Sequence, residues 1–421
     1  MRILLLPAYF FPEQAASSFL AENKYQAFAN KGFDMVTYVP TPCRGISKER
    51  RIEYRAKNHR SEVLYEGRME LHRFSMFSEG RNAFFRAFRY SLCWLKQFNR
   101  GLFTKGVSCI YLASTPPIQG LLGALLSKLK RVPFVYNLQD IFPDSLVGTG
   151  MTHKGSIMWK IGRKIESFTY RNADKIIVIS EDFKKNIMAK GVPEEKIVVI
   201  YNWVDQNAVV DIPREENKLF DTYELDRSRF YLCYSGNIGL TQNMDMLLDV
   251  MGELQEEAPD IKLVLIGEGA YKEEVVKKIA GQVYDDGAIR GTVLPNVVML
   301  PFQPYEDISY VFSLGDVGLV ISKPGVGVNS VPSKTWSIMS ASRPVLASFD
   351  ENELKDIVAD HECGIFTKAG DKESFKKAIL TLYQGRELCK ELGHNGRRFV
   401  MDNLTREVGT QKYVDVIKGF V

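Results

Sequence analysis

One pattern constrains this chain more than any other: short apolar runs rich in β-branched residues recur, each followed by a segment with helical spacing. In the first half the runs are residues 3–6, 35–39, 109–113, 134–138, 176–179 and 197–200. Runs that are apolar on both faces suit strands of a parallel sheet covered by helices. Residues 17–30, 118–129, 157–170 and 181–190 carry the helical spacing between them, so the unit is βαβ. A second series begins at 230–234 and continues through 261–266, 297–300, 317–321 and 344–347, with helices expected over 243–257 and 334–341. Two doubly wound α/β units follow from this. Each binds ligand at the carboxyl ends of its strands, and the expectation is a deep cleft between them. The polar stretch 205–226 lacks apolar periodicity and reads as the linker, which sets the domains at 1–205 and 206–403.

The formal charge of the 421-residue chain is only +4, but it is unevenly spread. Residues 1–205 hold 31 Lys and Arg against 18 Asp and Glu, giving +13, whereas 206–421 hold 24 against 33, giving −9. No acidic residue lies between Glu79 and Asp140. A block of that kind seeks phosphate on a lipid, a nucleic acid or a nucleotide. The six cysteines are far apart and form no C-x-x-C pair, so they read as buried thiols in a reducing compartment, with no zinc site. The uncharged run 106–127 is long enough to span a membrane, but Pro116 and Pro117 break it, and it reads as a strand, a loop and a helix start. The first residues are too short for a signal-peptide apolar region, and a cytosolic chain is expected.

Four segments carry candidate chemistry. Gly236, Asn237, Gly239 and Gln242 lie between an expected strand and an expected helix, where glycines allow close backbone approach and a helix N-terminus offers N–H groups to phosphate; the same segment also reads as a plain tight turn. Glu268, in Gly267-Glu268-Gly269, follows the next strand, and neither segment forms a dinucleotide fingerprint or a P-loop. In the second segment Asn329 and Ser330 precede Pro332, Ser333, Lys334 and Ser337. Ser330 as N-cap with Pro332 in the first turn brings Lys334 to the positive end of a helix, where it suits a diphosphate or is simply a solvated lysine. The third is Asp140 at the end of a strand, able to hold a hydroxyl or a proton, or else to cap the next helix. In the fourth, Phe84, Phe88 and Leu92 form an apolar stripe broadened by Phe85 and Trp94 and flanked by Arg81, Arg86 and Arg89. Such a helix lies in an anionic membrane interface or docks on the domain's own sheet.

Several chemistries lack their residues. No Asp-x-Asp occurs, the five histidines have no ligand spacing and no G-x-S-x-G is present. No nucleic-acid-binding module is recognisable either.

Taken in order, these segments resemble the retaining glycosyltransferases of family 4, which have the GT-B architecture of two facing Rossmann-like domains. The segment 9–18 resembles the family's first acceptor-side loop. Asp140-Ile141-Phe142-Pro143-Asp144-Ser145 resembles the Asp-Leu-Trp-Pro-Glu-Ser motif of a bacterial surface-polysaccharide subgroup, similar to L-fucosamine-type transferases of O-antigen and capsule assembly. The donor loops of that subgroup match 236–242 and Val331-Pro332-Ser333-Lys334. The broader family's phosphate-binding Arg and Lys fall on Asn237 and Gln242, and its paired glutamates on Asn329 and Ser337.

The resemblance implies transfer of a sugar from a nucleotide-sugar donor, UDP-linked and N-acetylated or deoxy, to a polyprenyl-diphosphate-linked saccharide, with retention and without metal or other cofactor. It implies a donor site of Gly236, Asn237, Gly239, Gln242, Glu268, Asn329, Pro332, Ser333, Lys334 and Ser337. Acceptor contacts come from Glu13, Ser17, Ser18 and Asp140, and Asp140 and Lys334 act in catalysis. A final helix around 407–418, within 404–421, is expected to cross back to the first domain, and the protein to sit peripherally on the cytoplasmic face of a membrane. Two other readings of the same residues are a nucleotide-sugar 2-epimerase and a non-catalytic membrane-associated scaffold.

Overall fold

A computed structural model describes residues 1–13, 18–56, 61–78, 83–148, 152–327 and 331–420. The chain forms two compact units, Met1–Asn202 together with Gly409–Val421, and Trp203–Val408. The division therefore falls three residues before the expected boundary, and the final segment joins the first unit from Gly409 onward.

Among the described residues the first unit has strands β1 (Arg2–Leu5), β2 (Asp34–Pro40), β3 (Ser61–Leu64), β4 (Met69–Phe74), β5 (Cys109–Ala113), β6 (Phe134–Leu138), β7 (Lys175–Val178) and β8 (Ile197–Val199). They form one sheet in the order β3-β4-β2-β1-β5-β6-β7-β8. All neighbours are parallel except β3 against β4. Leu4, Ile110, Phe134 and Ile176 are fully buried, as strands covered on both faces require. The β3–β4 pair has no counterpart in the sequence reading. β4 alternates, burying Met69 and Leu71 while Glu70 faces out, and β3 is largely exposed, so neither offers a continuous apolar run.

The second unit has β9 (Phe230–Ser235), β10 (Ile261–Ile266), β11 (Gly281–Val283), β12 (Ile289–Gly291), β13 (Val297–Leu300), β14 (Val317–Ile321), β15 (Val345–Phe349) and β16 (Gly364–Lys368). Their order is β11-β12-β13-β10-β9-β14-β15-β16, antiparallel only along β11-β12-β13. The expected linker 205–226 is not a free linker. Leu219, Phe220 and Tyr223 pack against Tyr231 and Val311, and the Ser309 and Ser313 hydroxyls accept from the amides of Val210 and Ile212. Two adjacent apolar residues and a third one helical turn later are too brief a signal for periodicity, yet they bury a short helix, Leu219–Thr222.

Along the parallel strands of each sheet the order reverses at one place, between β1 and β5 and between β9 and β14. Loops leaving the carboxyl ends of strands diverge there and open a ligand-sized crevice.

Candidate functional site

In the second unit the crevice is built around β9. The chain leaves β9 through Gly236, whose φ of 140° suits glycine, and the Gly236 amide donates to the Ile266 carbonyl at 2.9 Å. A Cβ on Gly267 would lie 1.8 Å from the Gly236 oxygen, so the two loops touch through backbone alone. The Ile238 amide continues the contact by donating to the Glu268 carbonyl at 2.9 Å. Gln242 closes the turn, its Oε1 accepting from the Gly239 amide at 3.1 Å and from Asn237 Nδ2 at 3.4 Å. Asn237 and Glu268 are exposed, and Glu268 pairs with Lys272 at 2.6 Å.

Lys334 enters from the far side. Its Nζ lies 3.6 Å from the centroid of the Tyr234 ring and 2.8 Å from where a Cβ on Gly236 would stand. No carboxylate among the described residues pairs with it. Desolvation lowers its pKa to about 7. The helix that carries it is Lys334–Ser340, with Ser333 immediately before it and no side-chain cap, so the expected cap at Ser330, which lies outside the described residues, is not adjacent to the helix start. Ser333 is exposed, and Ser337 follows Lys334 by about one turn. Asn329 also lies outside the described residues. A cavity of about 180 Å³ is lined by Gln242, Ser322, Gly327, Pro332, Lys334 and Phe349 among others. Ser322 is buried, and its hydroxyl has no hydrogen-bond partner among the described residues.

Asp350 was not singled out from sequence. Its Oδ1 accepts from the Gly325 amide at 2.9 Å and its Oδ2 from the Gly327 amide at 2.7 Å, which fixes the loop lining the cavity. Asn352 adds a bond from Nδ2 to the Gly327 carbonyl at 2.7 Å. A signal was present: Asp350 follows the run 344–347 just as Asp140 follows 134–138.

In the first unit Asp140 stands exposed at the end of β6 and accepts from the Ser145 hydroxyl at 3.0 Å. Desolvation raises its pKa, opposed by the Ser145 hydroxyl and the Ile141 amide. The Ser114 hydroxyl at the end of β5 accepts from the amides of Gln139 and Asp140 at 2.9 and 3.2 Å, tying the ends of β5 and β6 next to the switch point. Glu13 has a different task from the one expected. It is 4% exposed, its Oε1 accepts from the amides of Cys43 and Arg44 at 2.8 and 3.0 Å, and its Oε2 accepts from the amide of Phe10 at 3.2 Å. Its carboxylate is thus built into the loop and does not face outward. Ser17 lies outside the described residues, and of Ser18 only the backbone, at the start of a helix, is described.

The basic aromatic segment forms a helix, Ala83–Phe103, that divides the expected stripe: Leu92 packs against Phe74 and Met76 and Trp94 against the domain core, while Phe85 and Phe88 face outward. It buries Arg89, Cys93, Gln97 and Gly101, spaced four apart, and exposes Phe85, Arg86, Phe88, Leu95 and Phe103. Arg89 is fully buried, donating to the Phe77 carbonyl at 3.1 Å, so it cannot meet a membrane. Gln97 donates to the carbonyls of Pro7 and Tyr38, which explains a polar residue on the inward face. Trp94 is half-buried, stacked on Phe98 with centroids 5.3 Å apart. Arg81 lies outside the described residues, as does the side chain of Phe84. No described helix is long and apolar enough to cross a membrane, and no group of three metal-ligating side chains occurs among the described residues.

Two family models match, one to each half. Residues 23–208 match Glycosyltransferase Family 4, and residues 215–399 match Glycosyl transferases group 1. The chain is 24% identical over 82% of its length to a probable glycosyltransferase, WbjE, of Pseudomonas aeruginosa, covering 81% of that protein. It is 27% identical over 70% of its length to a putative colanic acid biosynthesis glycosyl transferase, WcaI, of Escherichia coli, covering 70% of it. Among solved structures it is similar to HepE of Anabaena in complex with UDP, with a TM-score of 0.71 at 15% identity over the whole of both chains. It is similar also to WaaG, a glycosyltransferase involved in lipopolysaccharide biosynthesis, with a TM-score of 0.64 at 12% identity over the whole of both chains. The fold is GT-B, two Rossmann-like α/β domains.

Proposed function

We propose that this chain, a glycosyltransferase whose two halves are Family 4 and group 1 domains, moves a sugar from a nucleotide diphosphate donor to a saccharide acceptor in bacterial surface-polysaccharide assembly. The observation that carries the reading is the unpaired Lys334 ammonium beneath the Gly236 loop. A desolvated cation beside closely packed backbone suits the diphosphate that leaves when the C1–O bond breaks. HepE holds UDP in the same fold, which favours uridine as the base. The names of WbjE and WcaI point to polysaccharide assembly, and the basic first unit suits an acceptor linked to a polyprenyl diphosphate at a membrane surface.

We assign retention to attack on the face the donor leaves. The acceptor oxygen forms the new bond to C1 as the C1–O bond to phosphate breaks, and the acceptor's proton passes to a phosphate oxygen. Lys334 stabilises the leaving group, and Asp140 orients the acceptor. Leaving-group charge is assigned to Lys334 and backbone amides, with no metal.

Calorimetric titration with UDP, GDP and ADP tests the reading. Binding of UDP that is lost in Lys334→Gln supports it. No nucleotide binding by the wild type sinks it and favours the scaffold alternative, and UDP affinity unchanged in Lys334→Gln removes Lys334 as the group that holds the diphosphate.

A further inference from the structure

Helix Ile157–Asn172 of the first unit is apolar on a side that its own domain does not cover. Gly162, Glu166, Thr169 and Tyr170 are buried and set its inward side. Ile157 and Ile161, one turn apart on the outward side, are 79% and 54% exposed, and Met158 beside them is 48% exposed. A helix that only packs on its sheet keeps that side polar. The charges there are of one sign: Lys154, Lys160 and Lys164 are exposed, and no acidic residue lies between Asp144 and Glu166. Glu166 itself is buried and pairs with Lys190 at 2.7 Å. Further along the same helix a cavity of about 330 Å³ is lined by Arg163, Arg171, Lys190 and Lys196 against the single carboxylate of Glu166.

The position of this helix in the layer matters as much as its composition. Helix Gln119–Lys130 lies against it, since a Cβ on Gly120 would stand 2.5 Å from Thr169 Cγ2 and Lys128 Nζ lies 5.3 Å from the Phe168 ring centroid. On the other side of Gln119–Lys130 is helix Ala83–Phe103, where Trp94 Nε1 donates to the Ile118 carbonyl at 3.2 Å and a Cβ on Gly101 would stand 2.9 Å from Leu126 Cδ1. The three helices follow β4, β5 and β6 and each returns to a parallel strand, so all start at the carboxyl edge of the sheet. Exposed Phe85 and Phe88 near one start and Ile157, Met158 and Ile161 near another therefore share one rim, the rim on which Asp140 stands.

Apolar side chains among Arg86, Lys154, Lys160 and Lys164 suit an anionic bilayer, where the former enter the acyl boundary and the latter meet lipid phosphates. A second copy of the chain fits less well, because a two-fold contact through this face would set its lysines against one another. We propose that the first two turns of helix Ile157–Asn172 are a membrane contact of their own, whose partner is an anionic lipid surface. This rests on the reading above that the acceptor is lipid-linked. Together with helix Ala83–Phe103 it turns the carboxyl edge of the first sheet, and Asp140 with it, towards that acceptor.

The test is sedimentation of the full chain with vesicles of equal parts phosphatidylglycerol and phosphatidylcholine, and with vesicles of phosphatidylcholine alone. Wild type is expected to bind the anionic vesicles only. Ile157→Ser with Ile161→Ser weakens that binding about tenfold at an unchanged unfolding midpoint, as the loss of two inserted side chains requires. Lys160→Gln with Lys164→Gln weakens it about tenfold at low salt and flattens its salt dependence. Failure of the wild type to bind anionic vesicles, equal binding to both kinds, or binding that both double variants leave intact overturns the proposal. A wild-type dimer in sedimentation equilibrium that Ile157→Ser with Ile161→Ser dissociates overturns it too, and gives the face to a second copy. UDP affinity of the same variants is expected to be unchanged, so loss of the lipid contact and loss of the nucleotide reading are told apart.

Discussion

A lysine ammonium over an aromatic ring with no carboxylate partner is poorly solvated, and at Lys334 that lowers the pKa to about 7. Below that pH, burying the charged form costs stability, and the cost is relieved as pH rises from about 7 towards the ordinary lysine value of ~10.4. Binding of a diphosphate favours the ammonium, so it takes up a proton above pH 7 and UDP affinity falls as pH rises. Calorimetry at pH 6.5 and 8.5 is expected to give binding weaker at the higher pH by roughly tenfold. Lys334→Arg, charged throughout, flattens the profile, and an unchanged slope in that variant would refute Lys334 as its source. Since Lys334 and amides carry the leaving-group charge in this reading, sugar transfer in excess EDTA is expected at an unchanged rate, and a collapse of rate there would reassign that charge to a metal. The residue types at this site were legible in the sequence, but their surroundings were not. Lys334 could be picked out by its place before a helix, whereas its approach to Tyr234 depends on packing between β9 and β14 that no local pattern encodes. Glu13 illustrates the converse, since a carboxylate on a loop looks available until three backbone amides claim it.

Among the elements, helix Ala83–Phe103 separates what periodicity reveals from what it conceals. Its helical character is plain from the spacing of Phe84, Phe88 and Leu92, yet the buried face is Arg89, Cys93, Gln97 and Gly101. Hydrophobicity alone does not give the buried face, because Arg89 and Gln97 turn inward to satisfy the loop carbonyls of Phe77, Pro7 and Tyr38 beside the packed Leu92, Trp94 and Phe98, while Phe85 and Phe88 stay outside. Phe85 and Phe88, exposed beside Arg86, are the residues that the proposed contact with an anionic bilayer would use. Phe85→Ser with Phe88→Ser is expected to change stability by no more than about 0.5 kcal/mol, as exposed sites usually do. Sedimentation with anionic vesicles is expected to show binding reduced severalfold, and undiminished binding would remove this helix from the membrane reading. Arg89→Glu should instead destabilise the first unit by about 3 kcal/mol or more in urea unfolding, through a buried charge. The continuous runs that became β2, β5, β6, β9, β10 and β14 were readable because both faces are covered. β3, β4, β11 and β12 were not, since strands towards a sheet's edge alternate or are too short to stand out.

For the whole molecule, the first unit is not contiguous in sequence, because its core includes residues from Gly409 onward. Tyr413, Val414 and Ile417 are 1%, 1% and 0% exposed there. The Tyr413 hydroxyl donates to Asn137 Oδ1 at 3.1 Å, and its ring lies 4.7 Å from the ammonium of Lys24, itself 6% exposed and lowered to about 7 by desolvation. Ending the chain at Val408 therefore removes three core side chains and strips Lys24 of an aromatic neighbour. A single large core truncation costs about 2–5 kcal/mol, so losing three should bring the first unit near the limit of its stability. The second unit keeps its own core and the proposed nucleotide site, and UDP binding should survive. Hydrogen exchange on the truncated protein is expected to show protection lost in β1, β5 and β6 and retained in β9, β10 and β14. Equal loss in both sets would mean that the final helix supports the two sheets alike. Full retention in β5 and β6 would mean that Tyr413 covers Asn137 and Lys24 without contributing to the stability of the strands beneath.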